Sequence, residues 1–286
     1  MRDGEQSRIT DPGRYRDAVA ALPDDLDALV AVVQGLVVHV HLAEVFYGIT
    51  VDDDSAVHER RVEAVLDRVL ALDPAPLGIA RPPERRVLGN CRQVSVLLTA
   101  LLRAHGRPAR ARCGFGAYFV EGSYEDHWAC ERWDEEAGRW TLVDAQLDRL
   151  QHEVFAIDFP IADVPRDRFV VAGDAWIRYR AGEVDADRFG LSGLGEAGAW
   201  WIAGNLIRDA ASLAGTEMLP WDAWGGMVGP DAAIDEERAA FLDHLAALTT
   251  APDTHRDELD RLAADDWRLH VPDRVLNALR GRDEPV

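Results

Sequence analysis

The stretch that decides the fold runs from residue 89 to residue 146. It begins GNCRQVSVLLTALLRAHG (89–106), continues RPARARCGFGAYF (107–119) and ends EDHWACERWDEEAGRWTLVDAQ (125–146). In chain order it contains a cysteine, a histidine and an aspartate, which are Cys91, His127 and Asp144. A thiol activated by an imidazole, which a carboxylate orients, is a general device for attacking acyl carbons. A catalytic function of this kind therefore requires that the local structure brings these three side chains together.

The first part of this stretch predicts a helix over residues 91–104. Asn90 is a good N-cap, so Cys91 falls at about the first helical position. The unpaired N–H groups and the positive dipole end at a helix start favour a thiolate and can hold an oxyanion. The alternative is that Cys91 is a small core residue, since free cysteines are often buried. One face of the helix carries apolar residues at helical spacing: Val94, Leu97, Leu98, Leu101 and Leu102.

The last part predicts a β-hairpin. Residues 126–133 and 139–144 are expected to form its two strands, and DEEAG (134–138) supplies the turn. Trp133 and Trp140 flank this turn and are expected to form a cross-strand pair.

This tryptophan pairing fixes the hairpin register. It sets Ala129 opposite Asp144 and Gln146 opposite His127, so His127 and Asp144 are diagonal neighbours on one face. A slip of two residues makes them directly opposite, whereas a slip of one residue turns one of them to the other face. On their own, Asp144 can equally be a strand-end turn residue and His127 a satisfied core or surface histidine.

These motifs resemble the core of the transglutaminase-like superfamily, over about residues 85–150 and in the form of bacterial transglutaminase-like domain proteins. The resemblance covers the cysteine at a helix start, the LLTALLRAHGRPAR run into a Gly-Phe strand, the His-Trp strand and the Trp-x-x-Val-Asp strand. It implies a papain-like thiol fold, in which a cysteine-bearing helix packs on an antiparallel sheet. It also implies that Cys91 is the nucleophile, His127 the general base and acid, and Asp144 the orienting carboxylate.

The sequence departs from the family pattern beside two of these residues. Trp128 follows His127 at once, where the family often has a tryptophan two residues later, and Ala145-Gln146 follows Asp144 in place of Pro-Thr. Both departures leave the substrate class open. Aromatic and amide side chains can wall a pocket, or the tryptophans can simply be core residues. The candidate substrate-binding residues are Trp128, Gln146, Trp221 and Trp224.

The whole chain predicts an α+β protein with a papain-like or transglutaminase-like core and helical extensions at both ends. We expect residues 1–150 to form the catalytic core with its N-terminal helices. Residues 151–286 form a mostly helical region packed on that core, because they contain apolar stripes and no linker-like run. The proline-rich segment at 73–86 either lines a substrate cleft or is a plain connection. Further helices are predicted at 14–22, 24–47, 54–72, 196–214, 231–248, 254–264 and 273–280.

Composition limits the partners. The formal charge of −20 argues against nucleic acid and anionic membranes. The polar N-terminus MRDGEQSRITDPG predicts no signal peptide, and no apolar run is long enough to span a bilayer. We therefore expect a cytoplasmic protein with reduced cysteines. Neither a CxxC motif nor paired histidine spacing supports a metal, so we expect no metal and no cofactor.

The leading hypothesis is an enzyme that attacks an amide or ester through an acyl-thioenzyme. Resolution by water gives a peptidase or amidase, and resolution by an amine gives a transglutaminase or amide synthase. The alternatives are a non-catalytic binding or scaffold module that kept the fold, and a small-molecule amide synthase that uses the tryptophan-rich tail as a pocket. The expected partners are an amide- or ester-bearing substrate and, for transfer, an amine acceptor.

Overall fold

A computed structural model describes residues 3–286 and shows a mixture of helices and short strands. Met1 and Arg2 lie outside the described part. They belong to the N-terminal stretch whose polarity predicts no signal peptide. The mixture confirms the predicted α+β class. In chain order the elements are α1 (Arg16–Ala20), α2 (Leu26–Leu36), β1 (Val37–His39), α3 (Val40–Tyr47), α4 (Val62–Leu72), β2 (Val87–Gly89), α5 (Cys91–Ala104), β3 (Ala109–Gly116), β4 (Tyr124–Asp134), β5 (Arg139–Val143), α6 (Arg149–Val154), β6 (Phe169–Val171), α7 (Ala172–Arg180), β7 (Phe189–Leu191), β8 (Glu196–Ala197), α8 (Ala199–Leu213), β9 (Asp222–Ala223), α9 (Glu236–Thr250), α10 (Arg256–Asp265), β10 (Arg274–Asn277) and β11 (Arg282–Pro285).

Contacts within the chain define two compact units. Unit 1 comprises Met1–Ala111 and Ala129–Pro165, and unit 2 comprises Arg112–Trp128 and Arg166–Val286. Strands β3 and β4 therefore contribute residues to both. The expected domain boundary at residue 150 stays a prediction. Among residues 3–286, no helix is long and apolar enough to cross a membrane.

Unit 1 is built around α5, which spans the predicted residues. Helices α1, α2 and α4 all pack against it. Its polar side chains are buried together with its apolar ones, so the helix is enclosed on every side. Several of these polar groups are satisfied internally, as buried polar groups generally are. For example, Arg103 Nε donates to the carbonyl of Ala109 at 2.8 Å, and Thr99 Oγ1 donates to the carbonyl of Ser95 at 2.8 Å.

The helix predicted over 24–47 is wrong in its middle. Three residues, Val37–His39, form strand β1, which pairs in parallel with β2. Two β-branched valines in succession favour the extended backbone. The carbonyl of Gly35 accepts from the backbone N–H of Arg81 at 3.1 Å, so a contact distant in sequence replaces the next helical hydrogen bond.

The helix predicted over 54–72 is also wrong in its first half. Ser55–His58 form a 3-10 turn, and α4 begins only at Val62. The Gln93 side chain donates to the carbonyls of Ala56 and Glu59, at 2.7 and 3.1 Å. Because α5 takes these carbonyls, they do not serve a continuous α-helix.

Unit 2 is built around α8, which packs against α7 and α9. A buried ion pair links α8 to β3. Arg112 Nε and Nη2 donate to the two oxygens of Asp209 at 3.0 and 2.8 Å, and the Cys113 N–H donates to Asp209 at 2.9 Å. Arg112 also donates to the carbonyl of Thr249 in α9 at 3.0 Å. The Arg112–Asp209 ion pair therefore connects β3 with α8 and, through Arg112, with α9.

The helix predicted at 273–280 is wrong. This segment forms β10 and the turn into β11, with Val275 opposite Glu284. The side chains alternate in burial along β10, which is the two-residue period of a strand. Gly281 provides the left-handed conformation of the turn, with φ of +60°. The helices expected at 196–214, 231–248 and 254–264 are present as α8, α9 and α10.

We predict that Asp209→Asn destabilises the protein by about 3–5 kcal/mol, because it leaves the Arg112 guanidinium buried without a counter-charge. Urea unfolding followed by circular dichroism measures this loss. Glu153→Gln is the matched control, since it breaks an exposed ion pair with Arg149. The control is expected to cost less than about 0.5 kcal/mol. Equal midpoints for the two variants would contradict the role given to Asp209.

Candidate active site

Cys91 occupies the first position of α5, as predicted. Asn90 is the N-cap, and its Oδ1 accepts from the Gln93 N–H at 3.0 Å, while Gln93 Oε1 accepts from the Asn90 N–H at 3.1 Å. This reciprocal capping box fixes the residue at which the helix starts. The Cys91 side chain is 6% exposed, and its carbonyl accepts from the Ser95 hydroxyl at 2.9 Å.

The hairpin register is the one expected from the tryptophan pair. Trp133 lies opposite Trp140 in β4 and β5, and their rings meet edge to face with centroids 5.8 Å apart. Cys130 is opposite Val143, the last residue of β5. Asp144 therefore follows directly after the end of the paired strand.

Asp144 is buried in unit 1, and both its backbone N–H and its carboxylate form hydrogen bonds. Its N–H donates to the carbonyl of Ile161 at 2.9 Å, and its Oδ1 accepts from the Gln146 N–H at 3.0 Å. This second bond is the local turn that aspartate commonly forms after a strand. It fixes the carboxylate and joins two of the predicted site residues, Asp144 and Gln146.

His127 lies in the part of β4 that belongs to unit 2, and it is buried in an aromatic environment. The rings of Phe119, Tyr118 and Phe169 meet its imidazole edge to face, with centroids 4.8, 6.0 and 6.0 Å away. Such contacts restrict the orientations that the imidazole can adopt. The next residue, Trp128, is fully buried.

The two candidate tryptophans of the tail lie in unit 2 and differ in burial. Trp224 is buried in the core of this unit, where its Nε1 donates to the carbonyl of Leu269 at 3.1 Å. Trp221 is partly exposed, and its carbonyl accepts from the Ala278 N–H at 3.0 Å. Their assignment as substrate-binding residues stays a prediction.

Asp126, which precedes His127, is a partly buried acid that sequence reasoning missed. Its Oδ2 accepts from Trp201 Nε1 at 2.9 Å. Burial raises the pKa of this carboxyl, although the Arg208 charge and the bond from Trp201 act in the opposite direction. The acidic residue beside the histidine was visible in the sequence, but its partner is 75 positions away and no spacing rule predicts it.

Tyr47, Asp148 and Gln151 form a second cluster that sequence reasoning missed. They line a small pocket in unit 1 together with Gln146. Burial and the neighbouring Asp148 raise the pKa of the Tyr47 hydroxyl, which therefore stays protonated. Among the described residues, no group of three or more histidine, cysteine, aspartate or glutamate side chains is placed to hold a metal ion.

Cys91 is thus a buried thiol at the start of a capped helix, and the carboxylate of Asp144 is fixed in the same unit. Residues 80–145 match the family model of the transglutaminase-like superfamily. The match confirms the resemblance found in the sequence, and it includes Cys91, His127 and Asp144. The chain thus carries a transglutaminase-like segment.

Two further comparisons add little. No curated protein matches the chain significantly. A solved structure of a candidate cysteine protease from Cytophaga hutchinsonii is similar at 18% identity, with a TM-score of 0.25; the match covers 60% of this chain and 47% of that one. It thus spans about half the length of the other protein, and at this TM-score it supports no conclusion about this chain.

We predict that Cys91 is alkylated faster than the other two cysteines. Cys113 and Cys130 are fully buried within their units, and burial raises the pKa of the Cys130 thiol to about 12. Cys130 therefore stays protonated at neutral pH, whereas Cys91 lies at the start of α5 and is the least buried of the three. Limited iodoacetamide treatment followed by peptide mapping gives the order of labelling. Earlier modification of Cys113 or Cys130 would overturn the assignment.

Proposed function

We propose that the protein is a thiol-dependent acyl-transfer enzyme that acts on an amide or an ester. Cys91 is the nucleophile, His127 takes the thiol proton and later returns it to the leaving group, and Asp144 orients the imidazole. The observation that carries the proposal is the position of Cys91 at the first residue of a helix whose start is fixed by a capping box.

The helix start supplies the second requirement of the reaction, which is to stabilise an oxyanion. As the first helical amide, the Cys91 N–H has no acceptor inside the helix. It also meets no other acceptor among residues 3–286. When the thiolate adds to an acyl carbon, this N–H can donate to the developing oxyanion.

Asp144 and His127 have the burial that their proposed roles need. A carboxylate that only orients a histidine must itself be immobile, and Asp144 is held by the bonds to Ile161 and Gln146. The observed β4–β5 pairs agree with the register from which the sequence argument put His127 and Asp144 on one face, and they end at Cys130 and Val143, before these two residues. The family match to residues 80–145 supports the same roles.

The acyl-thioenzyme can be resolved by water or by an amine, and both outcomes use the same three side chains. A second candidate function is a non-catalytic binding module, because the thiol of Cys91 is only 6% exposed and buried cysteines are often structural. Reactivity of the thiol separates the two functions.

We predict that His127→Ala slows the alkylation of Cys91 at neutral pH by about tenfold or more, because the imidazole takes the thiol proton. Asp144→Asn slows it less, since the carboxylate only orients the base. The rate of Cys91 alkylation, followed by intact mass, measures both effects. His152→Ala is the matched control and should leave the rate unchanged, because this histidine lies on α6 outside the proposed triad.

Turnover is tested with a panel of amide and ester substrates, with and without added amines. We expect Cys91→Ser to lower the rate by about a thousandfold or more. A wild-type protein that turns over nothing in this panel, and whose Cys91 reacts as fast after His127→Ala, would support the binding-module alternative instead.

A further inference from the structure

Four polar side chains of unit 1 form a hydrogen-bond network to which the proposed reaction gives no part. We call it the Tyr47 network, and its members are Tyr47, Asp148, Gln151 and Gln146. The two glutamine side chains are buried, so water competes little with their bonds. None of the four members lies within residues 80–145, so the family match does not describe the network.

The direction of donation along the network is fixed by one carboxylate. The Tyr47 hydroxyl lies 2.6 Å from Asp148 Oδ2, and a carboxylate can only accept, so the tyrosine donates. Since its one proton is used in this way, the same hydroxyl accepts from Gln151 Nε2 at 2.9 Å. Gln151 then presents its Oε1 to Gln146, whose Nε2 donates to it at 3.3 Å. The orientation of both amides therefore follows from Tyr47 and Asp148.

These two orienting residues are themselves anchored at helix ends. Tyr47 is the last residue of α3, where Gly48 takes the left-handed conformation with φ of +64° and donates its N–H to the carbonyl of Glu44 at 3.0 Å. Asp148 is the N-cap of α6, and its Oδ1 accepts from the Gln151 N–H at 3.0 Å. Local backbone structure thus places the hydroxyl and the carboxylate.

The inner end of the network meets the carboxylate of Asp144. The Gln146 N–H donates to Asp144 Oδ1 at 3.0 Å, while the Gln146 side chain is held by Gln151. The carbonyl of the next residue, Leu147, accepts from Gln34 Nε2 at 3.2 Å. The turn that follows β5 is therefore tied to α2 directly and to α3 through the network.

Support of this kind matters for a carboxylate that orients a base. Catalytic groups have to be held within about 0.5 Å of the productive geometry, and hydrogen bonds from residues outside the site commonly hold them there. A misplacement of about 1 Å can cost a hundredfold in rate. Because Asp144 lies in a turn and not within a paired strand, its position depends on what holds that turn.

We propose that Tyr47 is a positioning residue for the reaction. Through Gln151 and Gln146, its hydroxyl holds the Asp144 carboxylate in the place from which it orients the imidazole of His127. The inference rests on the function proposed above, which gives Asp144 that role. The support of Asp144 by Tyr47 concerns unit 1 only and can be measured by itself.

Amide hydrogen exchange of Gln146, followed by NMR in the full chain, tests the support. Tyr47→Phe keeps the ring and removes the hydroxyl, so Gln151 Nε2 loses its acceptor and the amide can turn. We expect the Gln146 N–H to exchange about fivefold faster. Tyr15→Phe is the matched control and should leave this rate unchanged, because Tyr15 also donates to a carboxylate of unit 1, that of Asp67, but takes no part in the network.

The pH dependence of Cys91 alkylation tests the effect on the reaction. The thiolate is stabilised by the imidazolium of His127, which Asp144 in turn orients and stabilises. With the carboxylate held less well, the midpoint of the rise in alkylation rate should move to higher pH. We expect a shift of about half a pH unit in Tyr47→Phe, or about threefold in thiolate fraction, and none in Tyr15→Phe. A general loss of stability would not produce this difference.

A double-mutant cycle tests whether Tyr47 acts through Asp144. Asp144→Asn keeps the shape of the side chain and removes its charge, so its exact position then contributes little to the imidazolium. In this background, Tyr47→Phe should move the midpoint by less than about 0.1 pH unit. An equal shift in both backgrounds would show that Tyr47 acts elsewhere and would overturn the assignment. If Tyr47→Phe does not fold, Gln151→Met cuts the network at the next side chain, and the same results are expected of it.

The outcomes separate this inference from the proposed function. An unchanged midpoint in Tyr47→Phe, in a protein whose Cys91 still depends on His127, refutes the positioning role and leaves the function standing. Faster exchange of Gln146, in a protein whose alkylation does not depend on His127, refutes the function and leaves the support of the carboxylate standing. Equal effects of Tyr47→Phe and Tyr15→Phe on exchange and midpoint would refute the role of the network.

Discussion

The capping box between Asn90 and Gln93 is the interaction on which the candidate site depends. It fixes the residue at which α5 starts, and so it decides that Cys91, and not a neighbour, occupies the first helical position. Gln93 also donates to the carbonyls of Ala56 and Glu59. The same side chain therefore caps the helix and ties it to the segment before α4, so a change in the cap would disturb unit 1 as well as the thiol.

Enclosure of α5 explains why its polar residues cannot vary freely. A surface helix can exchange polar residues at little cost, but a buried polar side chain needs a partner with suitable geometry. The Thr99 hydroxyl meets the Ser95 carbonyl and the Cys130 sulfur, 3.4 Å away. The apolar stripe thus explains only part of the stability of this helix, and the buried polar contacts specify its position.

Local signals were enough to predict α5, its cap and the register of the β4–β5 hairpin. Each depends on residues close in sequence: an N-cap before an apolar stripe, and two tryptophans across a short turn. The failures occur where distant residues decide. Strand β1 replaces helix because β2 lies beside it. The segment at 273–280 is a strand because β11 and β9 pair with β10, and neither partner can be found from periodicity.

The cluster of Tyr47, Asp148 and Gln151 beside Gln146 shows the same limit at the level of the site. Gln146 was a candidate by its place after Asp144, but its orientation depends on Tyr47, about a hundred positions earlier, through Gln151. Only Asp148, as an obligate acceptor, gives the chain of hydrogen bonds its direction.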